Sequence, residues 1–276
     1  MSQKLLMLTT CIVNEENMQD LIRMVRSYRD DFSNGIHIIL LQGDCSKFRS
    51  VISALELSTH IITVPNVISL SKARSIMLEY AIDSELYDQC EVIAFPDDDC
   101  WYPDNNLSAI LSLFEKHSTL DLLVCRYSAN TKSLHQSESQ NLTLKQLMHY
   151  GSSATLFTRI SCLNKNEFFD ELLGIGSPNN GGEDLDFALR VYKKSRDKIF
   201  FDSPLVGHND KVASKNYRYF QGSFRALRKN LFSHPLLPLF FIRKFLVGIY
   251  YVLRFGMSIR KFFSASQKLE VLNNGK

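Results

Sequence analysis

Apolar positions along the chain recur with two different periods. Lys4–Val13 is a continuous apolar run rich in β-forming residues, the pattern of a strand buried on both faces. From Glu15 to Tyr28, the residues Met18, Leu21, Ile22, Val25 and Tyr28 return at helical spacing. Ile36–Leu41 is a second buried-strand run, closed by the turn-forming Gln42-Gly43-Asp44-Cys45-Ser46. The same alternation predicts helices over Lys47–Leu57 and Ser71–Ile82, and strands over His60–Val64 and Glu91–Phe95. Strands alternating with helices at this pitch predict an α/β fold with a mostly parallel central sheet. Such sheets bind ligands at the carboxyl ends of their strands, where the polar turns of this chain fall. After Trp101 the pattern predicts a helix over Asn105–His117, a strand over Asp121–Tyr127 and a polar, irregular loop over Ser128–Asn141 that could cover a site. A strand over Ser153–Thr158, a helix over Glu183–Lys194 and a short strand over Lys198–Phe201 follow.

With 276 residues, 45% of them hydrophobic and 22% charged, the chain can bury the core of one large domain, or of a domain plus an appendage. There is no internal repeat. Net charge changes the picture, because the overall +3 is unevenly divided. Leu205–Lys276 carries 13 Lys and Arg against 2 Asp and Glu, a balance of +11 that leaves −8 on the first 204 residues. An acidic body over residues 1–210 and a basic helical tail over 211–276 are therefore expected to meet different partners. From Phe241 to Phe263 a helical wheel gathers Phe241, Phe245, Ile249, Val252, Ile259 and Phe263 on one side and Arg243, Arg254 and Lys261 on the other. That amphipathic pattern describes a helix lying on an anionic bilayer; packing against the body is the alternative. The longest uncharged apolar stretch, Phe245–Leu253, lies between Lys244 and Arg254 and is far below the roughly 20 residues of a membrane span. The N-terminus reads as a first strand rather than a signal peptide, and the six dispersed cysteines suit a reducing cytoplasm. These features predict a cytoplasmic protein attached peripherally to an anionic membrane surface. The basic charge comes without a nucleic-acid recognition motif, and nothing in the pattern excludes an oligomer.

Candidate chemistry concentrates in two acidic segments. Asp97-Asp98-Asp99 closes the apolar strand Glu91–Phe95, and carboxylates that close repel unless a cation or proton relieves them. Oxygen donors suit Mg²⁺ or Mn²⁺, which also take up phosphate oxygens. The plain alternative is a solvated acidic turn capping the helix near Asn105. Gly181-Gly182-Glu183-Asp184-Leu185-Asp186 combines flexible backbone with carboxylates at a helix start, where the dipole favours them.

The segment EVIAFPDDDCWYPDNNL resembles the DXD region of family 2 glycosyltransferases of the GT-A fold. SLSKARSIMLEYA before it and FFDELLGIGSPNNGGEDLDFALRVYKKS after it resemble the same family in the same order, so the resemblance covers about residues 4–210. It implies a metal-dependent, inverting glycosyltransferase that uses a nucleotide-sugar donor and a lipid-linked glycan acceptor. By resemblance, Asp97 and Asp98 lie near the ribose and diphosphate, Asp99 ligates Mn²⁺ or Mg²⁺, and Arg74 approaches the nucleotide. Asp44 reads the base, and Thr10 and Cys11 touch the nucleotide at the end of the first strand. Asp184 is the acceptor base with Glu183 as its rival, Asp186 caps or pairs locally, and Asp170 lies near the acceptor or packs. His208 follows the last short strand, where relatives can complete the metal site with a histidine. Gly43 and Cys45 depart from the family, which commonly has an acid and a glycine there. A noncatalytic nucleotide-sugar-binding scaffold on the same fold is the alternative, which intact Asp99 and Asp184 disfavour. A nucleotidyltransferase is opposed by the acidic VNEENMQD, where a basic phosphate loop would be needed.

Overall fold

The first apolar run forms β1 (Leu5–Ile12), and the sheet grows outward from it on both sides. Its side chains alternate between two layers, with Leu5 and Met7 in one hydrophobic cluster and Leu6 and Leu8 in the other. Helix α1 (Glu15–Tyr28) packs Met18, Leu21, Met24 and Val25 into the first cluster, and α3 (Leu70–Asp83) packs Ala73, Met77 and Leu78 into the second. Truncating one of the larger fully buried side chains to alanine costs about 2–5 kcal/mol. The computed structural model describes residues 4–28, 35–103, 105–131, 139–165, 169–209, 216–255, 257–260 and 262. The middle of the predicted Ser128–Asn141 loop lies outside these residues, as do Lys261 and Phe263 at the far end of the predicted tail helix.

β2 (Ile36–Gln42) and β4 (Val92–Ala94) flank β1 in parallel, and β3 (His60–Val64) extends the sheet beyond β2. On the other side, β8 (Leu156–Arg159) runs antiparallel between β4 and β6 (Leu120–Ser128). β9 (Asp197–His208) is parallel to β6, and its flanks pair antiparallel with β5 (Cys100–Trp101) and β7 (Ser139–Asn141). Among the described residues the pairings divide into four parallel and four antiparallel; the longest ladders are parallel ones, so the sheet is mostly parallel, as expected, but mixed rather than purely parallel. Alternating βα units account for the parallel pairs β1–β2 and β2–β3, whereas β1–β4 and β6–β9 join strands with several elements between them. The antiparallel half consists of short strands whose partners are distant in sequence, which local periodicity does not report.

Other differences are local. Residues 153–155 form a 3₁₀ turn, stabilised by reciprocal Ser152 and Thr155 bonds, so β8 starts later than expected. The second helix, α2 (Arg49–Leu55), is likewise preceded by a 3₁₀ turn. β9 is far longer than Lys198–Phe201, because register shifts after Cys125 and Arg126 bend it back toward β5. α4 (Asn106–Lys116), α5 (Leu144–Tyr150) and α6 (Glu183–Lys194) complete the body. Two further helices, α7 (Phe220–Lys229) and α8 (Leu237–Phe255), follow. The predicted Phe241–Phe263 helix therefore begins earlier and ends at Phe255.

A buried polar chain fastens α1 to the sheet: the Tyr28 hydroxyl meets His37 Nδ1, and His37 Nε2 lies 2.9 Å from Thr9 Oγ1. Burial lowers the His37 pKa from 6.5 to about 3, so the unfolded chain binds the extra proton between those values. Stability from this group is present above pH 6.5 and is lost as pH falls toward 3. Urea unfolding should show the wild type losing up to about 1.4 kcal/mol per pH unit across that window relative to His37→Gln. Parallel pH profiles for the two proteins would rule this out.

Candidate active site

The carboxyl ends of β1, β2 and β4 open on one edge of the sheet, and the acidic segments converge there. After β4 the chain runs through Phe95 and Pro96 into Asp97, Asp98 and Asp99, then turns into β5. Arg74, on the buried face of α3, is only 2% exposed. Its guanidinium donates to Asp184 Oδ1 at 2.7 Å and lies 3.7 Å from Asp97 Oδ1. Phe169 packs under the same guanidinium, 5.0 Å from ring centroid to carbon. Burial would lower the Arg74 pKa, but Asp184 and Asp97 outweigh it and raise the value. The residue expected to approach the nucleotide is thus also the link between the two acidic segments.

Asp184 sits in the first turn of α6, partly exposed, and its Oδ2 accepts a 3.2 Å bond from Ser153 Oγ. Glu183 beside it is buried, and its Oε2 has no hydrogen-bond partner among the described residues. Burial, reinforced by the Asp184 charge and opposed by Arg74, raises the Glu183 pKa to about 7. The two neighbouring carboxyls therefore divide the work: one faces a cation and solvent, and the other holds a proton near neutrality. Gly181 and Gly182, at φ +96° and +85°, form the left-handed turn that starts the helix. A Cβ on Gly182 would come within 2.2 Å of the Gly222 backbone in α7, so the contact requires glycine. Asp186 is paired locally, as expected, with Arg190, Lys229 and Asn230. Asp170 accepts a 2.9 Å bond from Lys229, which ties it to α7.

His208 reaches the site through the bend of β9. Cys100 stands opposite His208 and Trp101 opposite Gly207, where a Cβ would collide with the indole. His208 Nε2 lies 3.3 Å from Asp99 Oδ1 and 3.4 Å from Asp97 Oδ2. Asp99, Cys100 and His208 offer ligand atoms within 4.8 Å of one another. A carboxylate and an imidazole, with Asp97 adjoining, form a donor set that fits Mn²⁺ or Mg²⁺; the buried Cys100 thiol is a softer donor. Asp98 faces Cys11. Burial raises the Asp98 pKa to about 7, against the Cys11 hydrogen bond and with help from Asp97 and Asp99. Burial and the Asp98 charge raise the Cys11 thiol strongly, which leaves it inert.

The remaining expected residues lie along the same edge with local roles. Thr10 Oγ1 accepts from Gln42 Nε2, and Gln42 Oε1 accepts the Ile68 amide at 2.8 Å. Asp44 accepts the Ser46 amide and hydroxyl, each at 2.9 Å, which lowers its pKa. Several site neighbours carried no sequence signal. Ser153 on Asp184, Tyr127 against His208 at 4.9 Å, and Arg23 bonded to the Asp99 carbonyl at 3.0 Å are placed by distant pairings.

The sequence pattern of "Glycosyl transferase family 2" matches residues 9–171. The chain belongs to glycosyl transferase family 2. Solved structures share its GT-A fold. TarS 1-349 of S. aureus in complex with UDP-GlcNAc superposes with a TM-score of 0.63 at 16% identity, over 97% of this chain and 77% of that one. GalNAc-T7 with UDP, GalNAc and Mn²⁺ gives a TM-score of 0.56 at 14% identity, over 82% of this chain and 47% of that one. No curated protein sequence matches. The family match ends before Glu183 and Asp184, so these two rest on the geometry above and on the motif they form.

Glu183's folded-state pKa lies above its unfolded 4.5, so its stabilising share is complete below pH 4.5 and is lost as pH rises through about 7. Glu183→Gln removes the buried charge and should raise Tm at pH 8 by about 4 °C while leaving Tm at pH 4.5 nearly unchanged. A lower Tm at pH 8 would mean that the ionised Glu183 is held by its surroundings. Arg74→Lys keeps the charge but loses the forked geometry, and should lower Tm at pH 7 by about 5 °C or more in a thermal melt.

Proposed function

We propose that this glycosyltransferase moves a sugar from a nucleotide-sugar donor to a hydroxyl of a membrane-linked glycan, as in lipopolysaccharide, O-antigen or capsule assembly. The observation that carries the reading is the buried Arg74, which joins Asp97 of the donor-side segment to Asp184 of the acceptor-side segment. An arrangement that holds a donor and an acceptor across one cation suits transfer better than storage or scaffolding.

Asp184 is the acceptor base. Its ion pair with Arg74 fixes the carboxylate, and its partial exposure lets a hydroxyl reach Oδ2. The acceptor oxygen attacks the anomeric carbon as its proton passes to Asp184. The bond from that carbon to the diphosphate oxygen breaks, and its electron pair leaves with the nucleotide diphosphate. With nucleophile and leaving group on opposite faces, one displacement inverts the anomeric centre. Asp99 and His208, with Asp97 beside them, would hold Mn²⁺ or Mg²⁺, which when bound supplies Lewis-acid stabilisation of diphosphate charge. Arg74 orients Asp184 and neutralises Asp97. Thr10, Cys11, Asp44 and Asp98 line the strand ends where the nucleotide would lie. Burial raises the Glu183 pKa, which reduces the negative charge beside the base.

The domain division follows the charge: residues 1–210 perform the transfer, and 211–276 form a basic segment that associates with an anionic membrane on its cytoplasmic face. No described helix is long and apolar enough to cross a membrane, so the attachment proposed is peripheral.

Thermal stabilisation by UDP-, GDP-, dTDP- and CMP-sugars, with and without Mn²⁺, tests the donor site. One nucleotide class should stabilise the wild type only with metal, and Asp99→Ala should lose that response. Asp184→Asn should keep donor binding but lose transfer by about 10³-fold or more. Equal loss of donor binding in both variants would contradict the assigned roles.

A further inference from the structure

Part of the face that sequence periodicity assigns to a membrane is occupied in the folded protein, although Phe245, Ile249 and Ile259 of that face remain exposed. Phe241 packs 4.7 Å from Phe224, and Phe245 lies 5.2 Å from Phe262. Val252 packs against the same Phe220–Phe224 cluster, and Gly248 admits Phe220 and Phe262 where a Cβ would come within 2.4 Å of each. α8 also carries a more exposed apolar stripe, which shares Ile249 with that face. Leu239, Ile242, Leu246, Ile249 and Leu253 are all exposed, Leu253 to 81%, and they follow one another at the alternating three- and four-residue steps of a helix stripe. Phe232, 91% exposed, and Leu236 precede them.

This stripe sits on an all-cationic helix: α8 contains Arg243, Lys244 and Arg254 and no acidic residue. The same spacing could form the seam of a two-stranded coiled coil. A second copy would then bring Arg243 and Arg254 toward their own equivalents, with no carboxylate on the helix to answer them. A layer of anionic headgroups answers both the apolar stripe and the cations.

We propose that the Leu239–Leu253 stripe is the docking face for an anionic bilayer and that it sets the acceptor-base turn at a fixed height above the membrane. The second half rests on the glycosyltransferase reading of Asp184. Contacts carry the coupling: Gly248 of α8 closes on Phe220 at the start of α7, and Gly222 of α7 closes on Gly181 and Gly182, next to the base. Asn230 and Lys229 pin the other end of α7 to the buried Asp186 of α6. The base therefore lies two helix layers from the stripe, a separation on the order of 20 Å.

Co-sedimentation of the full chain with phosphatidylcholine vesicles, with and without phosphatidylglycerol, tests the docking face. The wild type should bind the anionic vesicles. The triple variant Ile242→Ser, Leu246→Ser and Leu253→Ser should lose about tenfold or more of its partitioning while keeping its Tm and its donor-induced stabilisation. Because these side chains already face solvent, folding should be preserved. As a second arm, brominated lipids should quench the fluorescence of Leu246→Trp beyond that of the native Trp101. Vesicle binding undiminished in the triple variant would overturn the stripe as the docking face. A wild-type dimer that the triple variant dissolves would overturn it in favour of a self-association seam. Absence of vesicle binding in the wild type, with donor stabilisation intact, would overturn membrane docking and leave the transferase reading standing.

Discussion

The site depends on one buried cation. Arg74 is nearly inaccessible to solvent, and an unpaired guanidinium there would cost several kcal/mol. Asp184 and Asp97 offset that cost, and so each is held in place by the other's partner. The pairing spans the sheet edge, from the strand end that carries the aspartate cluster to the first turn of α6. It also sets the charge of the neighbourhood. With one cation among three carboxyls, the most buried of them, Glu183, is the one driven toward its neutral form.

A second constraint works through backbone proximity. The register shifts opposite Cys125 and Arg126 bend β9, and its last residues pair with β5. Gly207 lets the Trp101 indole lie against the strand, and His208 then falls beside Asp99. Gly181, Gly182 and Gly222 play the corresponding part on the other side, where α7 approaches α6 too closely for any side chain. Both acidic segments are thus braced by contacts that only glycine permits.

The tail illustrates how burial redistributes a sequence pattern. α8 is apolar around most of its circumference, and a helical wheel must choose one face. The folded protein uses Phe241, Phe245 and Gly248 to join α8 to α7, which leaves outside a stripe that shares only Ile249 with the face the wheel chose. The basic segment is consequently tied, through α7, to the helix that carries Asp184.

Local periodicity sufficed for β1, α1, β2, β3 and α3, because each buries its own apolar face against the sheet and needs no distant partner to declare it. The acidic clusters were equally legible, since three successive aspartates after a buried strand and a Gly-Gly-Glu-Asp helix start are costly patterns that chemistry explains. The order of the antiparallel strands, the length of β9, the Ser153 and Tyr127 contacts and the outward face of α8 were decided only by tertiary structure. Each depends on a partner many residues away: Val124 of β6 pairs with both Leu156 and Phe200, and Arg74 meets Asp184 across more than a hundred residues. A one-dimensional pattern records which residues must be buried or neutralised. Which neighbour performs that task is settled when the chain closes and the competing contacts exclude one another.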